Sequence, residues 1–280
     1  MASIVHPDMN TIIPLAPEPI GNADGDVKND CERNAAKRLL EKIRAEHPKL
    51  PFLVVEDGLA SNGPHIEELI KHDMEFLLGV KPGDHPFLFQ KVEEAINADR
   101  APCVRGKTDE GRDCEAMFVL DVPLNASNSH LKVNFLQYQE FDENGKEVKR
   151  FTWVTRLPLT KDFTFPASAA GRSRWKIENE NNNTLKNHGY NLEHNYGHGD
   201  LHLSFVFATL IVLAFLIDQL LLICCAAFKA SLKTCGTKRE LWQRIRVHFR
   251  TYALNCIGQL HQFIASLTGK LRLPELVDTA

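Results

Sequence analysis

The sequence predicts an α/β protein built on a mixed sheet, with a β-rich insertion and a C-terminal helical region. In the first hundred residues, short apolar runs alternate with amphipathic helical runs, which is the usual order of elements in α/β folds. Residues 104–160 then change to consecutive strand-like segments, and helical periodicity returns near Ser168. At 280 residues the chain is long enough for one large domain or two smaller ones.

The first part of the chain supplies the alternating elements. Residues 3–20 predict two strands joined by a turn at His6-Pro7-Asp8. Asp30 is the predicted N-cap of a helix that ends at Glu46. A buried strand over 51–55 and its turn at Glu56-Asp57-Gly58 follow. The remaining predicted elements here are a helix from Pro64 to His72 and a strand over Glu75–Val80.

The later elements give the domain boundaries. Strands are predicted over 116–122, 131–141 and 147–157, with an Asn-Gly hairpin turn between the last two. Helical patterning runs from about Ser168 to Asn187, and a long apolar helix covers Leu203–Phe228. We divide the chain into four regions: 1–103, the first part of the α/β domain; 104–160, the β-strand insertion; 161–230, the second part of that domain; 231–280, a basic helical tail.

The composition argues against a disordered chain and against one that is basic throughout. Hydrophobic residues make up 44% and charged residues 25%, and the net charge is −3, so the chain is globular and not basic throughout. Residues 229–280 instead hold nine Lys or Arg against three acids. In this tail, Lys238 and Arg239 lie near Trp242, a mixture that suits phosphate contacts and base stacking. A solvated helix face explains the same residues.

The cysteines and the opening residues predict the cellular compartment of the protein. The seven cysteines are irregularly spaced, and no CxxC pair is present, which predicts reduced thiols in a cytosol. The opening residues do not read as a cleavable signal peptide.

Two carboxylates are the candidate chemical groups. Asp57 follows a predicted buried strand, and ligands of α/β folds collect at the carboxyl ends of strands. Glu178 lies four residues after Arg174, so on a helix the two share a face and the carboxylate stays ionised. Together Asp57 and Glu178 would suit Mg²⁺ or Mn²⁺, which activates water or a 3′-hydroxyl on a phosphodiester. A turn cap at Asp57 and a surface ion pair at Glu178 are the structural alternatives.

These residues carry a family resemblance. The segments Val55-Glu56-Asp57-Gly58, Trp153-Val154-Thr155, Arg174-Trp175-Lys176-Ile177-Glu178 and Asn183-Thr184-Leu185-Lys186 resemble DDE transposases of bacterial insertion sequences, in the insertion-sequence-four-like group. The resemblance covers nearly the whole chain. It implies a ribonuclease-H-like catalytic domain with a β-strand insertion before the final glutamate, and metal-dependent cleavage and transfer of DNA strands.

The resemblance assigns roles to individual residues. Asp57 resembles the second catalytic aspartate and Glu178 the catalytic glutamate, both as metal ligands. Arg174 matches an arginine associated with transposon-end DNA, and Trp175 is expected in the core. The family's lysine falls at Leu185, which moves the contact to Lys186, and Gly171 stands where the family has tyrosine. The implied partners are transposon ends, target DNA, and a second copy or a full-length transposase.

One departure changes the expected activity. The family's first catalytic aspartate lies on a strand before the hairpin, and none of Asp8, Asp24 and Asp26 occupies that position. The resemblance therefore predicts a chain truncated at its N-terminus, without its first strand, and inactive or dependent on a partner. The expected location is the bacterial cytoplasm, in association with the nucleoid.

The sequence also supports other interpretations. Leu203–Phe228 is long enough to cross a bilayer, which would make the chain a membrane-anchored protein without enzymatic activity; a helix buried on all sides is the interpretation that we favour. A truncated regulator of a full-length transposase is a third hypothesis. His194, His198 and His202 recur every four residues, as in a zinc site, but Gly197 and Gly199 favour a polar turn instead.

Overall fold

The structure analysed is a computed structural model that describes residues 1–20, 32–197, 202–251 and 256–266. The chain forms two compact units: the sheet unit, Glu18–Trp175, and the helical unit, Met1–Pro17 with Lys176–Ala280. Several residues named above, Asp24, Asp26, Asp30, His198 and Gly199, lie outside the described residues.

The secondary structure contains the predicted elements in order, together with a helix and a strand between residues 86 and 107 that were not predicted. The strands of the described residues are β1 Ser3–His6, β2 Met9–Pro14, β3 Leu53–Glu56, β4 Glu75–Gly79, β5 Cys103–Lys107, β6 Asp113–Pro123, β7 Lys132–Phe141 and β8 Glu147–Thr155. The helices are α1 Glu32–Glu46, α2 Gly63–Lys71, α3 Pro86–Asn97, α4 Lys161–Arg172, α5 Thr184–Asn187, α6 Leu203–Cys224, α7 Ala226–Cys235, α8 Lys238–Thr251 and α9 Ile257–Ser266. A π-helical segment, Ile177–Asn183, precedes α5.

The sheet unit contains one six-stranded sheet in the order β3-β4-β8-β7-β6-β5. β3 and β4 are parallel, because α2 makes the crossover between them, and every other neighbouring pair is antiparallel. The prediction of a mixed α/β fold is therefore confirmed. The strands of the region 104–160 belong to the same sheet as β3 and β4.

One core cluster of the sheet unit lies between one face of this sheet and α4. Leu136 and Trp153 are buried there against Ala167 of α4. Gly171 allows the close approach, because a Cβ at that position would lie 2.6 Å from the Trp153 ring. A larger residue at 171 would separate α4 from the sheet.

The helical unit is assembled around the inner face of α6. Ile12 of β2 packs there with Leu185, Tyr190 and Phe215. α6 ends at Cys224, because Cys225 adopts an extended conformation (φ −108°, ψ 107°), and the helix predicted to continue through Phe228 resumes as α7.

By length and composition, α6 could cross a bilayer. Only Val212, Phe215, Asp218 and Gln219 on this helix are buried. The favoured expectation of a helix buried on all sides is therefore wrong, since only these four of its 22 residues are buried.

Candidate functional site

Asp57 lies directly after β3, at the carboxyl end of the parallel pair β3-β4. Its Oδ1 atom accepts a hydrogen bond of 3.1 Å from the backbone N–H of Leu59, which fixes the start of the turn. The rest of the carboxylate is exposed. The turn-capping role and an available carboxylate oxygen are thus both present at Asp57.

A polar network supports this end of the sheet. The carboxylate of Glu56 lies 2.6 Å from Nε2 of His65 on α2. The Ser61 hydroxyl donates to the backbone oxygen of Gly79, and His85 donates from Nε2 to the oxygen of Ser61 at 3.0 Å. The network therefore ties the strand end to α2 and leaves Asp57 at the surface.

Glu178 lies in the helical unit, in the first turn of the π-helical segment, and is exposed. Arg174 precedes that segment in a turn, so the residues from Arg174 to Glu178 do not form one regular α-helix. Trp175 is 45% exposed, and the expectation of a core position for it is wrong. Single π-helical segments are frequent at functional sites.

Lys176 anchors the helix that carries Glu178. Its side chain is buried, and Nζ donates three hydrogen bonds of 2.7 Å to the backbone oxygens of His6, Pro7 and Met9. An ammonium group has three donors, so its hydrogen-bonding capacity is filled. The hairpin turn thereby holds the chain two residues before Glu178. No local pattern in the sequence indicates this contact, which joins residues about 170 positions apart.

The residues after Glu178 divide between surface and interior. Lys186 is exposed and forms an ion pair of 2.7 Å with Glu193. Leu185, at the position of the family's lysine, is buried against β2 and α6. The one-residue shift therefore places the cation, and not the leucine, on the surface.

Asp218 is the centre of a buried polar cluster in the helical unit. Tyr190 donates from its hydroxyl to Oδ2 of Asp218 at 2.6 Å, and Trp242 adds a second hydrogen bond. Burial raises the pKa of the Asp218 carboxyl, and the hydrogen bond from Tyr190 opposes that rise. Burial also raises the pKa of the Tyr190 phenol. The sequence shows Asp218 as a polar residue within an apolar run, but it does not indicate its partners.

The two predicted DNA-binding residues of the tail have different surroundings. The ammonium group of Lys238 is 5.3 Å from the centre of the Phe215 ring and 5.9 Å from that of Tyr190. Burial lowers the pKa of Lys238, and the charge of Asp218 opposes that shift. Arg239 is exposed. Lys238 therefore belongs to the interior cluster, whereas Arg239 faces solvent.

An arginine row runs along the outer face of α8. Arg239, Arg246 and Arg250 are exposed and follow one another at intervals of seven and four residues, which places them on one side of a helix. Arg244, by contrast, is paired with Glu240 at 2.8 Å. The unneutralised positive charge of α8 is thus concentrated on the arginine row.

The histidines and acids do not assemble a metal site within the described residues. No group of three or more His, Cys, Asp or Glu side chains is placed to hold a metal ion in that part of the chain. His202 has a left-handed conformation (φ 56°) before α6, which interrupts the helix that a His194–His202 alignment needs. Asp57 and Glu178 lie in different units.

Comparison with known proteins adds no assignment. No protein-family model matches the chain, and no curated protein matches it either.

Proposed function

We propose that this chain is a DNA-binding protein of the DDE transposase type, with a ribonuclease-H-like catalytic architecture. The sequence run from Arg174 to Glu178 carries the proposal. Lys176 within that run is buried and fully hydrogen-bonded, while Glu178 is exposed two residues later. A rigid support beneath an exposed carboxylate is what a metal ligand requires.

The proposed chemistry uses two carboxylates and a divalent cation. Asp57 and Glu178 would ligate Mg²⁺ or Mn²⁺, which supplies Lewis-acid activation of a phosphodiester. The assignment of both residues to one ion comes from the resemblance. Arg174 would act beside Glu178, either on its carboxylate or on a DNA phosphate.

The proposed DNA contacts follow the exposed cations. Arg239, Arg246 and Arg250 span about 16 Å along α8 at 1.5 Å per residue, enough for two or three phosphates of one strand. Lys186 is a further candidate, although its ion pair with Glu193 must open first. Lys238 is assigned to the support of α8 because its ammonium group lies over two aromatic rings.

DNA binding is tested with the Arg239→Ala/Arg246→Ala/Arg250→Ala variant. Fluorescence anisotropy with a labelled duplex should show binding that weakens as salt rises, with a shallower salt dependence for the variant because it releases fewer counterions. Arg105→Ala/Lys107→Ala is the matched control, since it removes two exposed cations that pair with Glu115 and Asp113. Equal loss in both variants, or no binding by the unaltered chain, would contradict the assignment.

A further inference from the structure

The outward face of α8 sets two exposed apolar side chains beside the arginine row. Phe249 and Val247 are each 59% exposed. Phe249 follows Arg246 by three residues and Val247 precedes Arg250 by three, so each side chain neighbours a member of the row on the helix surface. With about 3.6 residues per turn, the two lie on opposite sides of the row. The face therefore presents three cations between an aromatic ring and an aliphatic side chain.

The inner face of α8 is packed within its own unit. Leu241 is buried there, and Ile245 packs against the same apolar cluster. Trp242 lies seven residues before Phe249, along the same stripe of the helix, but its ring centre is only 4.6 Å from that of Tyr190. Packing against Tyr190 thus covers Trp242 in part, while Phe249 remains the exposed aromatic side chain of α8.

The charge of the outward face indicates a polyanionic ligand. Glu240 is the only acid of α8, and it pairs with Arg244 at 2.8 Å, so no acid of this helix is left to neutralise the arginine row. An anionic membrane is a poor match, because an interfacial helix lays its apolar face into the lipid, and Leu241 and Ile245 of that face are packed inside the unit. Nucleic acid requires only the outward cations.

Phe249 distinguishes between single-stranded and duplex DNA as the ligand. Phosphates line both forms, so the arginine row alone would suit either. In a duplex each base is stacked between its neighbours, whereas an unpaired base offers a free face to an aromatic side chain. Exposed cations beside an exposed aromatic ring are the combination by which proteins bind single strands.

We propose, building on the DNA-binding function above, that the outward face of α8 binds single-stranded DNA. The arginine row contacts successive phosphates, and Phe249 stacks on an unpaired base beside Arg246. Val247, on the other side of the row, has no ring to stack and contributes little. The binding has little sequence preference, because every base has a π-face.

Phe249→Ala and Val247→Ala form a matched pair, because the two side chains are equally exposed on the same helix. Fluorescence anisotropy with labelled oligothymidylate should show binding by the unaltered chain. Phe249→Ala should weaken it at least about fivefold, and Val247→Ala should leave it unchanged, because only the first variant loses stacking on a base. Neither variant should change binding to a duplex of equal length. An abasic strand, which keeps its phosphates, should bind the unaltered chain and Phe249→Ala equally.

Two readouts separate stacking from charge. The slope of log Kd against log salt concentration should be the same for Phe249→Ala as for the unaltered chain, because no cation is removed. Arg246→Ala should make that slope shallower. Phe249→Trp should retain binding, and its added fluorescence should be quenched by oligothymidylate, whereas that of Val247→Trp should not.

Three results would overturn this assignment. Equal affinity of Phe249→Ala and the unaltered chain for oligothymidylate, with duplex binding intact, would remove the single-strand assignment and leave the DNA-binding function standing. Failure of the unaltered chain to bind either form of DNA would overturn both. Binding to phosphatidylglycerol vesicles that is lost in Phe249→Ala, without any loss of oligothymidylate binding, would assign this face to a membrane surface instead.

Discussion

The two units bury charge in different ways. In the sheet unit, buried Glu140 meets oppositely charged groups, with Lys149 at 3.1 Å and Arg172 at 3.3 Å. In the helical unit, buried Lys176 is held by backbone oxygens, and Asp218 by a phenol and an indole. Ion pairs thus surround the buried Glu140 carboxylate, whereas the hydrogen bonds to Lys176 and Asp218 come from neutral groups and the charge of Lys238 acts on Asp218 in addition. Stability in the helical unit should therefore respond more sharply to the loss of single hydrogen-bonding groups.

The largest expected effect on the free energy of unfolding comes from replacing Lys176. Lys176→Met removes three hydrogen bonds and leaves three backbone oxygens without their donor, which should lower the free energy of unfolding by about 3 kcal/mol. Urea titration followed by circular dichroism measures it. Lys186→Met is the control, because Lys186 forms only an exposed ion pair with Glu193 and should cost less than about 1 kcal/mol. Equal losses of unfolding free energy in the two variants would show that buried Lys176 stabilises this unit no more than exposed Lys186 does.

The glycines allow a second comparison between the units. Gly189 has a φ of +101°, and a Cβ there would lie 2.9 Å from the Trp242 ring. Gly189→Ala should therefore lower the free energy of unfolding by about 2 kcal/mol, through strain and overpacking together. In the sheet unit, Gly111 also has a positive φ, +82°, but open space around it. Gly111→Ala should lower the free energy of unfolding by about 1 kcal/mol, from backbone strain alone. A larger loss for Gly111→Ala than for Gly189→Ala would contradict the packing of Trp242 against Gly189.

The smallest expected effect concerns the pH dependence of stability, which should have opposite signs for one carboxylate of each unit. Burial raises the pKa of Asp218 above its ordinary value of 3.8, so this residue's contribution to stability is present below pH 3.8 and is lost as pH rises through the folded pKa. A hydrogen bond from Lys71 lowers the pKa of Glu68 in the sheet unit below 4.5, so its contribution is present above pH 4.5 and is lost as pH falls.

Paired variants separate these two titrations. The unfolding free energy of the unaltered chain, minus that of Asp218→Asn, should fall as pH is raised from below 3.8. The same difference for Glu68→Gln should rise with pH through the region just below 4.5. Chemical denaturation at a series of pH values measures both, and slopes of the same sign would show that one of the two carboxylates is placed wrongly.

Local patterns predicted much of the sheet unit. β6, β7 and β8 were predicted from strand-like segments, and the turn between the last two was predicted from Asn144-Gly145. Gly145 has the positive φ, +75°, that such a turn needs. α3 was missed: it begins directly at Pro86 and has no side-chain N-cap hydrogen bond, so the usual start signal is absent.

The candidate site was harder to predict from the sequence than the sheet unit. Asp57 could be placed at a strand end because the strand before it is a short apolar run. The π-helical segment at Glu178 has no simple signature in composition, and regular helical spacing was assumed in its place. The contacts of Lys176 and of Asp218 join residues that are distant in the chain, so the local periodicity of apolar residues does not predict them.

Manganese binding tests the proposed catalytic pair most directly. Electron paramagnetic resonance of Mn²⁺ titrated into the unaltered chain should show one bound ion. Asp57→Asn and Glu178→Gln should each weaken its binding at least about tenfold. Asp109→Asn and Glu143→Gln, at exposed carboxylates elsewhere in the chain, should bind as the unaltered chain does. Unchanged affinity in either site variant would contradict a shared ion.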